Sequence, residues 1–270
     1  MKIYQLLLVV LASCMTSVVE ARQENHSIGK GVITGTVVEG EFEVNLRILN
    51  EFSIGNGNFS AQKVLSKSAQ QKTYHFEVEV GLVPTYVTLL YNKPQSKQMI
   101  NVANIIPMER EDSVHVSFDT LSGSYLFNGK SAAKFSTLYQ IRKEVALELK
   151  KLPAARLNTN PEQAFINVEA ILNFHLGLLK EKKDLFSAEL YQFLVTDVRA
   201  HYYSGLYQIL YDFRFAYPYK NIAIAEQCVS AFEQHLLNQP VFLAEEHVAI
   251  ASKYYLEYLF VLLLLLRSQI

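Results

Sequence analysis

Near residue 130 the hydrophobic pattern changes from period two to the three- and four-residue steps of a helix, and no single-layer fold accommodates both. Before it, Phe42, Val44, Leu46 and Ile48 alternate with Glu43, Asn45 and Arg47, and Tyr74, Phe76, Val78 and Val80 alternate with His75, Glu77 and Glu79. Val114, Val116 and Phe118 repeat the pattern around His115 and Ser117. Each run reads as a half-buried strand with one polar face. Further strands are expected at 31–38, 85–91 and 97–105, with turn residues at Gly55-Asn56-Gly57 and Asn92-Lys93-Pro94. Many short strands, each polar on one side, predict an antiparallel β-sandwich or partly open barrel.

After the change, Phe135, Leu138, Ile141, Val145 and Leu149 mark a helix over 132–151 that Pro153 closes. Asn160 is placed to cap a second helix, with Pro161 at its first position and Gln163 where a capping-box partner stands. Leu190, Phe193, Leu194, Val198, Leu206, Ile209, Leu210 and Phe213 define a long third helix that Pro218 ends or interrupts. Two more are expected at 222–237 and 244–266, and the short connections favour an antiparallel helical array. The class is α+β: a β-rich module over 28–129 followed by a helical region over 130–270.

The first residues have the layout of a secretory leader: Lys2, an apolar run over 6–11, then small residues. Two processing sites fit. Leu11-Ala12-Ser13-Cys14 has the form of a lipoprotein box, which would end the leader at residue 13 and lipidate Cys14; Val19-Glu20-Ala21 fits ordinary cleavage after residue 21. Either way the expectation is export, to the periplasm or as an outer-membrane lipoprotein, with any membrane attachment through the lipid alone. The apolar run at 258–266 is far shorter than the ~20 residues that cross a bilayer and reads as a buried helix or a self-association surface.

Composition narrows the function classes. Half of the 270 residues are hydrophobic and 19% are charged, ample for a packed core. A formal net charge of -1 with dispersed Lys and Arg argues against nucleic-acid binding, which needs a concentrated basic face. Of the two cysteines, Cys14 lies in the leader, leaving Cys228, expected on a helix as a packing residue. A single thiol cannot resolve a mixed disulfide, so no dithiol cycle is expected. No metal-ligand pair, phosphate loop or nucleophile elbow is present in the sequence. His75 and His115 fall on the polar phase of their strands and read as solvated. Catalytic residues, metals and cofactors are accordingly expected to be none. Tyr203, Tyr207, Tyr211 and Tyr217 stand out in an aromatic cluster on and after the third helix. Tyrosines bury area while keeping a polar tip, which suits an interaction surface, and the same spacing suits ordinary helix packing.

Gly31-Val32-Ile33-Thr34-Gly35-Thr36-Val37, Pro84-Thr85-Tyr86-Val87-Thr88-Leu89, Asn104-Ile105-Ile106-Pro107 with Glu111-Asp112-Ser113-Val114-His115-Val116, and Phe127-Asn128-Gly129-Lys130-Ser131-Ala132-Ala133 occur in that order. Together they resemble the N-terminal domain of TlpA-like thiol–disulfide oxidoreductases of Bacteroidetes envelopes. The resemblance implies a β-rich domain of unknown function, then helices, then a thioredoxin domain with a Cys-x-x-Cys motif. The chain departs from it where Met108-Glu109-Arg110 replaces a Pro-Gly turn before the aspartate, and in having no counterpart of the redox cysteines. The function expected is a non-catalytic envelope module that binds or positions an envelope protein or small ligand; the alternative is an oxidoreductase whose catalytic thioredoxin domain is absent.

Overall fold

The computed structural model describes residues 29–37, 42–53, 58–67, 72–81, 84–92, 99–119, 122–152 and 161–211, together with Ser252, Tyr255 and Tyr258. The leader with Cys14, the turn at 55–57, the cap at Asn160, Tyr217, Pro218 and Cys228 lie outside the described residues, as do the two later helices but for those three positions.

The fold is α+β. Strands β1 (Gly29–Val37), β2 (Glu43–Ser53), β3 (Asn58–Lys67), β4 (Thr73–Val80), β5 (Thr85–Asn92), β6 (Met99–Met108), β7 (Ser113–Asp119) and β8 (Ser124–Asn128) precede helices α1 (Ala132–Leu149), α2 (Pro161–Glu181) and α3 (Ala188–Tyr211). A short 3₁₀ turn at Lys183–Leu185 separates the last two helices. The strands form two four-stranded sheets of order β4-β1-β7-β8 and β3-β2-β5-β6, so the β module is a sandwich and not a closed barrel.

Alternation decides which strands exist and which way they face. Burial along β4 alternates strictly, with Tyr74, Phe76, Val78 and Val80 inside and Thr73, His75, Glu77 and Glu79 outside. β1 and β7 follow the same rule, whereas β5 is buried at six consecutive positions. Two strands have no such signature in the sequence. β3 pairs with β2 through register shifts at Ile48/Leu49 and Leu49/Glu51, which break the period, and β8 has only five residues. One pairing also differs from the antiparallel expectation: β1 and β7 run parallel. Five intervening strands, four of them in the other sheet, supply the long crossover that a parallel pair requires.

Between the sheets lies an aromatic core. Tyr91 meets Phe42, Tyr74 and Phe118 at ring centroid separations of 6.5, 6.0 and 4.7 Å, and Phe118 stacks on Tyr125 at 4.8 Å. Leu46, Val78, Val80, Tyr91 and Phe118 are fully buried. Each such side chain contributes roughly 1.5–3 kcal/mol relative to exposure. The Tyr74 hydroxyl contacts that of Tyr91 at 2.5 Å and donates to the Val116 carbonyl at 3.1 Å, so both buried phenols are satisfied within the sandwich. Burial pushes both phenols well above their ordinary value. Gly35, directly opposite Tyr74 in the ladder, leaves room for that ring: a Cβ there would lie 2.1 Å from the Tyr74 hydroxyl and 2.3 Å from the Val116 oxygen.

The outer face of the β4-β1-β7-β8 sheet is a polar mat. Lys30 donates to Glu77 at 2.7 Å, Thr34 Oγ1 and His115 Nδ1 are 3.0 Å apart, and Thr36 donates to Ser117 at 3.3 Å. His75 is exposed on this face, while His115 is partly covered.

Two compact units divide the described residues. One holds the described part of Ala21–Arg142 with Lys182–Leu190, and the other the described parts of Lys143–Glu181 and Tyr191–Ile270. In the first unit α1 buries Lys134, Phe135, Leu138 and Ile141, with Phe135 against Phe127 at 6.5 Å. The apolar stripe expected to continue along α1 does not stay buried: Leu149 is exposed, as is Leu147. In the second unit His175 of α2 lies edge-on to Tyr202 of α3 at 6.2 Å.

Candidate functional site

The tight turn joining β6 to β7 carries three acidic residues and one arginine, Glu109-Arg110-Glu111-Asp112. Its shape is held from inside and outside. The Glu109 amide donates to Asp112 Oδ2 at 2.7 Å, the Asp112 amide donates to the Glu109 carbonyl at 3.3 Å, and Glu111 takes the left-handed conformation at φ 61°. A glutamate at positive φ is uncommon and costs on the order of 1–3 kcal/mol, so the surroundings must determine it. They do so by fastening the turn to β1, the Glu111 amide donating to the Lys30 carbonyl at 3.0 Å and the Val32 amide to the Asp112 carbonyl at 2.8 Å. Arg110 Nε donates to the Gly81 carbonyl at 2.7 Å.

The start of α1 is fixed to the same place. Ser131 donates its amide to the Ser113 carbonyl at 2.9 Å and accepts the Ser113 amide on its hydroxyl at 3.1 Å. Gly129, at φ 99°, allows the chain to turn from β8 into this position. The first turn of α1 therefore lies over the acidic turn, and it delivers Lys134. A lysine at a helix N-terminus opposes the helix dipole, and α1 has no acidic residue of its own in that turn. Two carboxylates from elsewhere offset this: Lys134 Nζ donates to Glu109 Oε2 at 2.9 Å and to Asp112 Oδ2. Lys134 and Asp112 side chains are each 8% exposed and Glu109 26%.

The second oxygen of Glu109 reaches the α2–α3 connection. Ser187 donates its hydroxyl to Glu109 Oε1 at 2.6 Å while accepting the Leu190 amide at 3.0 Å, the bond of an N-cap residue at the start of α3. One carboxylate thus joins the β6–β7 turn, the first turn of α1 and the cap of α3. The arrangement is a charged clasp. An ammonium donating to two carboxylates is engaged and not poised as a nucleophile, and the serine oxygen is occupied as donor and acceptor.

Nothing in the sequence singles out Lys134, because its partners stand 25 and 22 residues away and only the fold brings them together. The one legible sign was at Glu109, inside the stretch that departs from the resembled family's Pro-Gly turn.

Of the tyrosines proposed as an interaction surface, Tyr203 is half-buried on α3, its ring 6.2 Å from Tyr258, which lies 5.8 Å from Tyr255. Desolvation raises the Tyr203 phenol, with the Arg199 charge acting in the opposite sense. Ser252 ties this cluster to α3 by donating to Asp197 at 2.7 Å and accepting the Tyr255 amide at 3.1 Å. Tyr207 and Tyr211 belong to α3, but their side chains, like all of Tyr217, Cys14 and Cys228, lie outside the described residues. Burial pushes the neighbouring Tyr202 phenol up to about 12.

Inside the sandwich, an apolar void of about 10 Å³ lies among Ile33, Val87, Ile106, Val116, Phe127 and Phe135. One water needs roughly 10–15 Å³ and polar partners besides, so this void is not a ligand pocket. Among the described residues, no group of three His, Cys, Asp or Glu side chains is placed to hold a metal ion. None of the described helices is long and apolar enough to cross a membrane. Comparison with protein-family models, with curated proteins and with solved structures finds no match.

Proposed function

We propose that this chain is a non-catalytic binding or scaffolding module of the bacterial cell envelope, similar in role to the N-terminal part of TlpA-like proteins. The observation that carries the reading is that the polar groups gathered at the clasp and inside the sandwich bond to one another. Lys134, Glu109, Asp112 and Ser187 bond to one another and to helix and turn amides, and the Tyr74 and Tyr91 hydroxyls bond to each other inside a filled sandwich. Groups arranged for catalysis present a free donor, acceptor or nucleophile to a cleft. Here the same residue types hold the frame, which suits a module whose contribution is its outer surface. Export, by cleavage after Ala21 or by lipidation at Cys14, belongs to the same proposal and rests on the leader-like first residues.

An insulin-reduction assay on the purified protein with dithiothreitol tests it. The expected result is precipitation no faster than in the no-protein control. Turnover proportional to protein concentration and abolished by Cys228→Ser would overturn the non-catalytic reading. Intact mass of the exported protein separates the two processing sites: a product starting at Arg22 excludes acylation, and a diacyl or triacyl Cys14 establishes it.

A further inference from the structure

The four edge strands of the sandwich are not equivalent. β3 and β6 each pair with their neighbour through register shifts, β6 also contains Pro107, and β8 has only five residues. Bulges, proline, shortness and charged side chains are how proteins keep an edge from pairing with another chain. β4 has none of the first three: its eight residues contain no proline and keep unbroken register with β1 from Thr73 to Val80, so its charged residues alone decide what can pair with it. Among the described residues no strand pairs with its outer side.

Two hydrogen bonds identify which backbone groups face outward. The Val32 amide donates to Asp112 on the β7 side, and the Val37 amide donates to Lys72 on the β4 side. Along β1, even-numbered residues therefore address β7 and odd-numbered ones address β4. Their β4 partners are Tyr74, Phe76 and Val78, opposite Gly35, Ile33 and Gly31. The amides and carbonyls of Thr73, His75, Glu77 and Glu79 consequently point away from the sheet, and their side chains lie on its exposed face.

We propose that this edge pairs with β4 of a second copy of the chain, antiparallel, about a two-fold axis at Phe76. That register opposes His75 to the partner's Glu77 and Thr73 to the partner's Glu79, and reciprocally, so every outward backbone group from residue 73 to 79 is hydrogen-bonded. The alternatives are worse. An axis at Glu77 sets two glutamates directly opposite, and an axis at His75 opposes two histidines and leaves Glu79 beyond the strand of the partner. Only the Phe76 axis uses the whole edge with no like pair face to face. The interface is isologous and closed, as a two-fold dimer must be, and it joins two four-stranded sheets into one of eight strands. Lys30, already 2.7 Å from Glu77, remains on the far side of that carboxylate from the arriving histidine.

Sedimentation velocity of the full chain from about 1 to 100 μM tests the pairing, a range that brackets ordinary reversible dimers. A concentration-dependent monomer–dimer equilibrium is expected. His75→Pro removes an outward amide that β1 does not use and should weaken association by roughly tenfold or more with the circular dichroism unchanged. His75→Glu, at an exposed position that tolerates the change, places two glutamates opposite each other and should weaken it similarly. Adding Glu77→Lys to His75→Glu should restore the dimer. A monomer throughout the range overturns the proposal, and so does a dimer indifferent to both His75 variants, which would locate association on another surface. The dimer stands or falls independently of the insulin-reduction result.

Discussion

Replacing Lys134 by methionine keeps the volume and the apolar stem of the side chain but removes the charge on which two carboxylates converge. Asp112, whose side chain is 8% exposed, keeps only the Glu109 amide at 2.7 Å; Glu109 keeps Ser187 at 2.6 Å and is a quarter exposed, so water can take part of the load. Removing one member of a buried charge pair costs about 3–5 kcal/mol, mostly as the penalty on the ion left behind. With one carboxylate deeply buried and one partly solvated, the expected loss is about 3–4 kcal/mol. For a unit of this size that corresponds to roughly 10 °C in Tm. The chain contains no tryptophan, so urea unfolding is followed by near-ultraviolet circular dichroism from the core tyrosines. Adding Asp112→Asn to Lys134→Met neutralises the more buried of the two stranded carboxylates and should recover about half the loss, a non-additivity that identifies the charge as the cause. A Lys134→Met protein within about 1 kcal/mol of the wild type would refute the clasp, since an exposed pair is worth no more than that.

Three other outcomes follow from the same core. Tyr74→Phe strands the Tyr91 hydroxyl and should cost about 1–3 kcal/mol, whereas Tyr91→Phe leaves Tyr74 its bond to Val116 and should cost about 1 kcal/mol; equal losses in a urea series would contradict the bonding pattern. Because burial raises the Tyr74 and Tyr91 phenols above their ordinary value of 10.0, the folded state resists ionisation while the unfolded chain does not. Stability should therefore hold below pH 10 and fall above it, by about 1.4 kcal/mol for each of the two by pH 11. Flat stability from pH 9 to 11 would count against their burial, and the Tyr74→Phe/Tyr91→Phe double variant should lose about half of the alkaline slope, the rest coming from Tyr125 and Tyr202, which burial also raises. Gly35→Ala would drive a methyl group into the Tyr74 ring and the Val116 carbonyl, the latter backbone that cannot swing aside, at a cost of about 3 kcal/mol in thermal or urea unfolding; a neutral effect would show that the strand can open there.

Much of the architecture was already legible in local pattern. Strict alternation in β1, β4 and β7 and the later helical periodicity each depend on neighbours two to four residues apart, and the sandwich-then-helices order follows from them. Where the local period is disturbed, the pattern fails. Nothing local marks β3, because shifts in its pairing with β2 break the alternation, and Leu149 continues an apolar stripe that is covered only as far as Ile141.

The sequence by itself makes legible its α+β class and those elements whose alternation or helical period is unbroken. Tertiary structure alone decided which strands neighbour one another, and with that the parallel β1–β7 pair, the β4 edge that no described strand pairs with, and the meeting of Glu109 with Lys134 and Ser187. The physical reason is range. Periodicity and capping are interactions within a turn or two of backbone, while the clasp joins residues up to 78 positions apart. In a linear reading Lys134 is one charged residue at the start of an apolar helix; folded, it lies where one buried and one partly exposed carboxylate converge on it.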